Sequence, residues 1–251
     1  SRKHESNDAL IGQLELMMEK VVKMEKTVAQ LKFFDKVSVS NLSEKRIGEI
    51  LNRIGVKQTT IAKEDFEKFY YIQYPSFEWG VEAEAQQMEE VVRWFNDALK
   101  LPRGFNVWDI HTDVYHQREI KSANVILTGG SEIAIGPRRT YCIWIEARKS
   151  MARCIKAQAI GELLLLDNNS ALNPLVVLTD CNDFWDIFFI KKRNDENHIV
   201  RCTMDRSLAL AVIKQFVIEE GNRLGKWIGD KTICVSGDVI EPLRRKAKIF
   251  Y

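Results

Sequence analysis

The apolar segments between residues 77 and 222 constrain the fold more than any other feature of the chain. Stripes of helical period alternate with short apolar runs that are typical of strands. In order, the sequence predicts a helix at 81–99, strands at 105–110, 123–127, 132–135 and 141–147, a helix at 151–166, strands at 175–179, 185–191 and 198–202, and a helix at 208–219. This order predicts an α/β domain, with a mixed central sheet flanked by helices.

Composition excludes several classes of protein. The longest apolar run is far shorter than a membrane-spanning helix requires, so we expect no membrane partner. The five cysteines contain no CxxC pair, which disfavours a zinc site and favours reduced thiols. The net charge of +2 disfavours a surface covered in basic patches, but it allows a local one. The chain opens on polar residues without a signal peptide, and we expect it to be a fragment.

The first 35 residues carry a heptad pattern. Apolar residues from Leu10 to Leu31 are spaced alternately four and three apart, with charged residues between them. This spacing predicts a coiled-coil-like helical segment over 1–35 that joins two chains through residues 10–31. The alternative is one helix packed on its own domain.

Three further regions follow this segment. Residues 36–76 are predicted to form a small helical adaptor, with one helix between Ser43 and Gly55 and a second short helix at 64–72. A helix-turn-helix is conceivable there, although a packing role is favoured. Residues 77–222 form the α/β domain, and 223–251 form a basic C-terminal extension. That extension is either a nuclear-localisation or phosphate-binding patch or a solvated tail.

Two acids on neighbouring predicted strands suggest a site. Side chains alternate along a strand, so Glu146 and Arg148 point to one face, and Glu132 on the adjacent strand can join them. Two carboxylates and a backbone carbonyl are ligands that Mg²⁺ prefers. The structural alternative is a salt bridge from Glu146 to Arg148 or Arg138.

A family resemblance extends this interpretation. One series of elements resembles the PD-(D/E)xK restriction-endonuclease-like nucleases. It consists of Glu132, a turn, the apolar strand that ends Glu146-Ala147-Arg148, and the following helix with Gln158. The layout over residues 78–220 is similar to the nuclease-like regions of Crinkler-type effectors. The resemblance implies a restriction-endonuclease-like fold, binding of DNA rather than RNA, Mg²⁺-dependent cleavage, and a secreted protein that acts in the nucleus of a host cell.

The resemblance also assigns roles to individual residues. Glu132 takes the place of the first acid, Glu146 that of the motif acid, and Gln158 that of the helix glutamine. The carbonyl of Ala147 completes the metal ligands, and Glu84 on the first core helix assists them.

Two departures from the family pattern matter. The first acid is glutamate rather than aspartate, and Arg148 stands where the catalytic lysine is expected. Arginine stays charged, so it can hold a phosphate but cannot act as a base. Lys149 faces the other side of a regular strand unless a bulge re-aims it. The rival hypothesis is an inactive nuclease fold that binds DNA or protein and self-associates through its N-terminal helix.

Basic residues surround the two acids. Their grouping suits a nucleic-acid groove, because phosphates are held by arginine and lysine. The candidates for this contact are Arg138, Arg139, Arg153 and Lys156. A different cluster, His111, Asp113 and His116, resembles a metal-ligand set, but His116 falls on the opposite face of a strand, so we favour no metal role for it.

Overall fold

The structure is a computed structural model that describes residues 17–22, 34–66, 71–112, 116–138 and 140–228. The chain divides into two compact units, Ser1–Asp35 and Lys36–Tyr251. In the first unit, residues 17–22 are helical and exposed. The other positions of the predicted seam at 10–31 lie outside the described residues, as does the basic stretch at 229–251.

The described part of the second unit contains both helices and strands. The helices are α1 (Glu44–Arg53), α2 (Met88–Leu99), α3 (Lys156–Asn169) and α4 (Arg206–Ile228). The strands are β1 (Asp35–Ser38), β2 (Val56–Thr60), β3 (Asn106–Asp109), β4 (His116–Ile120), β5 (Val125–Gly129), β6 (Ile133–Gly136), β7 (Ile143–Ala147), β8 (Leu175–Thr179), β9 (Trp185–Arg193) and β10 (Glu196–Met204).

A seven-stranded mixed sheet forms the centre, in the order β2-β10-β9-β8-β7-β6-β3. Strands β3, β6 and β7 are antiparallel neighbours, and β8, β9 and β10 form a second antiparallel run. Strand β8 lies parallel to β7, and the chain crosses between them through α3. The predicted α/β fold with a mixed central sheet is therefore confirmed.

Helices cover both faces of this sheet. Helices α2 and α4 share one apolar core with Ile143, Ile145 and Ala147. Helices α1 and α3 and a three-stranded sheet, ordered β1-β5-β4, share the other core with Trp144. Because side chains alternate along β7, Glu146 lies on the α3 face together with Trp144. The fold thus directs a carboxylate into a largely apolar layer.

Some local predictions need correction. The region predicted as a small helical adaptor contains α1 as expected, with the Ser43 hydroxyl accepting the Arg46 N–H at 3.1 Å, but it also supplies β1 and β2 to the two sheets. The helix predicted from residue 81 begins at Met88, after a 3₁₀ turn at Glu84–Gln87. Strand β5, predicted at 123–127, belongs to the small sheet rather than the large one.

Two further observations concern composition. Among the described helices, none is both long and apolar enough to cross a membrane. The described cysteines, namely Cys142, Cys154, Cys181 and Cys202, are free thiols, as predicted.

Candidate functional site

The two candidate acids meet on one face of the sheet. The register that pairs Ile133 with Ile145 places Glu132 opposite Glu146. The guanidinium of Arg148 bridges the two carboxylates: Nη1 donates to Glu132 Oε1 at 2.6 Å, and Nη2 donates to Glu146 Oε1. The structural alternative of a Glu146–Arg148 salt bridge is thus present, and it includes Glu132.

Helix α3 adds two polar side chains to this cluster. The Gln158 amide donates to Glu146 Oε1 at 2.7 Å and to Glu162 Oε1 at 2.8 Å. Gln158, to which the family resemblance gives a role, thus lies beside Glu146. Glu162 was not predicted, although its position one helical turn after Gln158 is a sign of the same face. Both side chains are buried against the apolar layer.

Glu84 holds the turn that follows β7. Its Oε1 accepts the backbone N–H of Lys149 at 2.8 Å and pairs with Arg153 at 3.0 Å, while its Oε2 lies 3.5 Å from Arg148 Nη1. This predicted metal ligand is therefore engaged in fixing the turn. The Lys149 ammonium contacts the Glu82 carbonyl at 3.4 Å, so it points away from the paired acids.

The carboxyl groups are held in an environment that disfavours their charge. Burial raises the pKa of Glu132 to about 8, the charge of Glu146 adds to this, and Arg148 opposes it. Burial also raises the pKa of Glu146. Burial, together with the charge of Glu146, holds the pKa of Glu162 well above its ordinary value. The cluster therefore contains more carboxyl groups than its arginines can compensate.

Two buried oxygens of the cluster show how it could take a cation. Glu132 Oε2 and Glu162 Oε2 have no hydrogen-bond partner. Within the described ranges, no three His, Cys, Asp or Glu side chains stand arranged for a metal ion. The guanidinium of Arg148 lies between Glu132 and Glu146, so these two are the residues that would hold Mg²⁺ once the guanidinium withdraws.

A pocket of about 270 Å³ opens over the cluster. Its lining includes Ser131, Glu132, Glu146, Arg148, Gln158 and His111. One wall is the segment around Val39, which packs closely on Gly129 and Gly161. A Cβ at Gly129 would lie 2.4 Å from a Val39 methyl group, and a Cβ at Gly161 would lie 2.8 Å from the other. Larger residues there would push this wall away.

The predicted phosphate-binding residues are placed differently from one another. Arg153 lies at the cluster through Glu84 and is largely exposed. The guanidinium of Arg138 stacks on the Trp108 ring at 5.7 Å, and Lys156 lies 3.9 Å from Glu44 of α1. Arg139 is outside the described residues. Arg153 is therefore the exposed basic residue that the structure brings to the acids.

The two histidines of the predicted His111, Asp113 and His116 cluster have other contacts in the part of the chain that the structure describes. His111 contacts Asp109, His116 lies with its ring centroid 5.2 Å from that of Trp144, and Asp113 is outside the described residues. Cys154 lies near Arg148, but burial raises the pKa of its thiol to about 12, so it is not an activated nucleophile.

We compared the chain with protein-family models, with curated proteins and with solved structures. No family model, no curated protein and no solved structure matches it. A function must therefore be inferred from the geometry of the acidic cluster.

Proposed function

We propose that the α/β unit is a Mg²⁺-dependent, nuclease-like domain that binds DNA and hydrolyses its phosphodiester bonds. The observation that carries this proposal is the convergence of Glu132 and Glu146 on one guanidinium, in an open pocket at the end of β7. Carboxyl groups in excess of their cationic partners are suited to a divalent cation. The unpartnered oxygen of Glu132 supports the same proposal.

The order of elements supports a relation to the PD-(D/E)xK nucleases and the Crinkler-type effectors. The acid lies on β7, the helix carrying Gln158 follows it, and β8 and β9 come next. These are the steps on which the resemblance rests. Self-association through residues 10–31 and action in a host nucleus stay predictions.

The residues of the pocket have separate roles in this proposal. When bound, Mg²⁺ supplies positive charge that stabilises the phosphate oxygens during hydrolysis. Glu132 and Glu146 would hold it, and Gln158 fixes the orientation of Glu146. Arg148, freed from the carboxylates, offers its planar fork to a phosphate, and the exposed Arg153 binds a neighbouring phosphate.

A second candidate function rests on a specific observation. One guanidinium reaches three carboxylates, those of Glu84, Glu132 and Glu146. If Arg148 is the permanent cation of the cluster, the domain is an inactive nuclease fold that binds DNA or a protein. The two candidates differ in whether a divalent cation can displace the arginine.

Cleavage of plasmid DNA tests the proposal. The wild-type protein should cut the plasmid in Mg²⁺ and leave it intact in EDTA. Glu146→Gln should reduce the rate by more than about 100-fold, because it removes a charged ligand. Glu89→Gln is the matched control, since Glu89 is an exposed acid paired with Arg93. Cleavage by Glu146→Gln at the wild-type rate contradicts the proposal, and DNA binding without cleavage by the wild type favours the second candidate.

A further inference from the structure

Resting on this proposed function, we infer that His111, oriented by Asp109, is the base that accepts a proton from the water attacking the phosphodiester. The inference adds a catalytic residue to the site and a positioning residue behind it. His111 contacts Asp109 and lines the pocket that contains the two acids.

The contacts of His111 fix which ring nitrogen carries the hydrogen. Asp109, the last residue of β3, accepts the backbone N–H of His111 at 3.1 Å through Oδ1. The same oxygen contacts His111 Nδ1. A carboxylate oxygen accepts hydrogen bonds, so this contact fits a hydrogen on Nδ1 that is donated to Asp109. In the neutral imidazole that tautomer leaves the lone pair on Nε2, where it can act as a base.

The backbone ties His111 to the candidate metal ligands. Strand β3 pairs with β6, and the N–H of Ile110 donates to the carbonyl of Glu132 at 2.9 Å. His111 follows directly and lines the same pocket as Glu132 and Glu146. A phosphodiester in that pocket would therefore meet residues of both groups, His111 and the two acids.

The other side chains that line the pocket have different roles in the proposed reaction. Arg148 keeps its proton: burial alone would lower its pKa, but the charges of Glu146 and Glu132 raise it above the ordinary value. Glu132 and Glu146 are engaged with a cation in the proposed reaction, and the amide of Gln158 accepts no proton. Among the described residues of the pocket lining, His111 is the one imidazole, and a nitrogen of a neutral imidazole can accept a proton.

The proposed step balances as a hydrolysis. The water oxygen forms a bond to phosphorus, and the bond from phosphorus to the leaving oxygen breaks with its electron pair on that oxygen. The water proton passes to His111 Nε2. The leaving oxygen takes a proton from solvent, and the imidazolium returns its proton to solvent. The products are a phosphomonoester and a free hydroxyl group.

Chemical rescue tests the catalytic role. His111→Ala should lower kcat by about 100-fold on DNA and on bis(p-nitrophenyl) phosphate alike, since a base acts on the water and not on the leaving group. Added imidazole should raise the kcat of His111→Ala by about tenfold. It should not raise the kcat of Glu146→Gln, because that variant lacks a metal ligand rather than the base. The control His198→Ala, whose ring bonds Thr59, should leave kcat unchanged.

Side-chain ¹⁵N NMR of the metal-free protein tests the positioning role without any reaction. The wild type should show the Nδ1–H tautomer of His111 at pH 8, and Asp109→Asn should show a mixture of tautomers and a lower kcat with an unchanged KM.

If His111→Ala cuts as fast as the wild type, His111 is not the base and the proposed function stands. An Nε2–H tautomer in the wild type also overturns it. A wild type that cuts neither substrate overturns the proposed function and the role of His111 together.

Discussion

Two buried carboxylates, Glu146 and Asp186, lie on the same face of the large sheet and are separated by one strand. Leu178 on β8 lies between them, paired with Glu146 on one side and Asp186 on the other. Their exposed fractions are 2% and 1%. Asp186 Oδ2 accepts from Arg201 at 2.6 and 2.9 Å, and Oδ1 accepts the Thr203 hydroxyl. Both oxygens of Asp186 thus have partners of their own.

Glu146 differs because its partners are shared. Arg148 also serves Glu132 and Glu84, and the Gln158 amide also serves Glu162. Burial of a carboxylate therefore does not by itself mark a site. Asp186 is matched to one arginine, whereas Glu84, Glu132 and Glu146 share one, and we propose that this excess of acid lets the cluster bind a further cation.

Removal of each arginine should give the largest difference between the two regions. Arg148→Met should lower the free energy of unfolding by about 3 kcal/mol at pH 8, because it leaves several buried acids without a cation. Arg201→Met should cost less, since the Arg201 side chain is 32% exposed. Urea unfolding followed by tryptophan fluorescence measures both. Added Mg²⁺ should restore part of the lost free energy of unfolding in Arg148→Met and none in Arg201→Met. Equal restoration in the two variants would show that the two acidic regions do not differ in cation binding.

The acidic cluster should also make stability depend on pH. Burial raises the pKa of Glu132 from 4.5 to about 8, so the folded chain keeps a proton that the unfolded chain releases. The stability that this proton gives to the folded chain is therefore fully present below pH 4.5. It is lost as the pH rises towards 8, and the free energy of unfolding then falls by up to about 1.4 kcal/mol per pH unit. Unfolding of the metal-free protein at pH 5, 6, 7 and 8 measures this slope. Glu132→Gln should flatten it, and an identical slope in that variant would contradict the assignment.

Replacement of a carboxylate by its amide should have opposite effects in the two regions. Glu162→Gln should raise the free energy of unfolding at pH 8 by about 1 kcal/mol, because it removes an excess buried acid and keeps hydrogen-bonding atoms. Asp186→Asn should lower it by at least a similar amount, because Arg201 loses its charged partner. Thermal or urea unfolding gives the sign directly. Two changes of the same sign would show that the clusters do not differ in charge balance.

The smallest effect concerns DNA binding. Arg153→Ala should weaken DNA binding and reduce the slope of log K against log salt by about 1, since one phosphate contact is lost. Arg201→Ala should leave the slope unchanged, because Arg201 is less exposed than Arg153 and its partner Asp186 lies outside the acidic cluster. Fluorescence anisotropy with a labelled duplex at several salt concentrations measures both slopes. A slope that Arg153→Ala does not change would remove Arg153 from the phosphate contacts.

Sequence reasoning placed best those strands that are buried on both faces, because they appear in the sequence as continuous apolar runs. Strand β8 has the predicted bounds at Leu175–Thr179, and β9 and β10 differ from prediction at their ends. Strands β1, β2 and β4 were not predicted. They are short, with several polar or exposed side chains, so local hydrophobicity carries little of the information that fixes them. In addition, β1 and β2 pair with strands that are distant in sequence, namely β5 and β10.

The candidate site divides in the same way. Alternation along adjacent strands was sufficient to bring Glu132 and Glu146 to one face. Glu162 was missed because it lies in an apolar helix and its partners come from β7 and its own turn. The partner of His111 was also missed: His111 lies in a turn after β3, where strand alternation does not apply, and it contacts Asp109.

In the proposed function, the excess of acid around Arg148 is a divalent-cation site. Isothermal titration of the metal-free protein with Mn²⁺ detects such a site without substrate. One bound ion per chain is expected for the wild type and for Glu89→Gln, and none for Glu146→Gln. Absence of binding by the wild type, or equal binding by Glu146→Gln, would rule out the cation site and leave Arg148 as the permanent cation of the cluster.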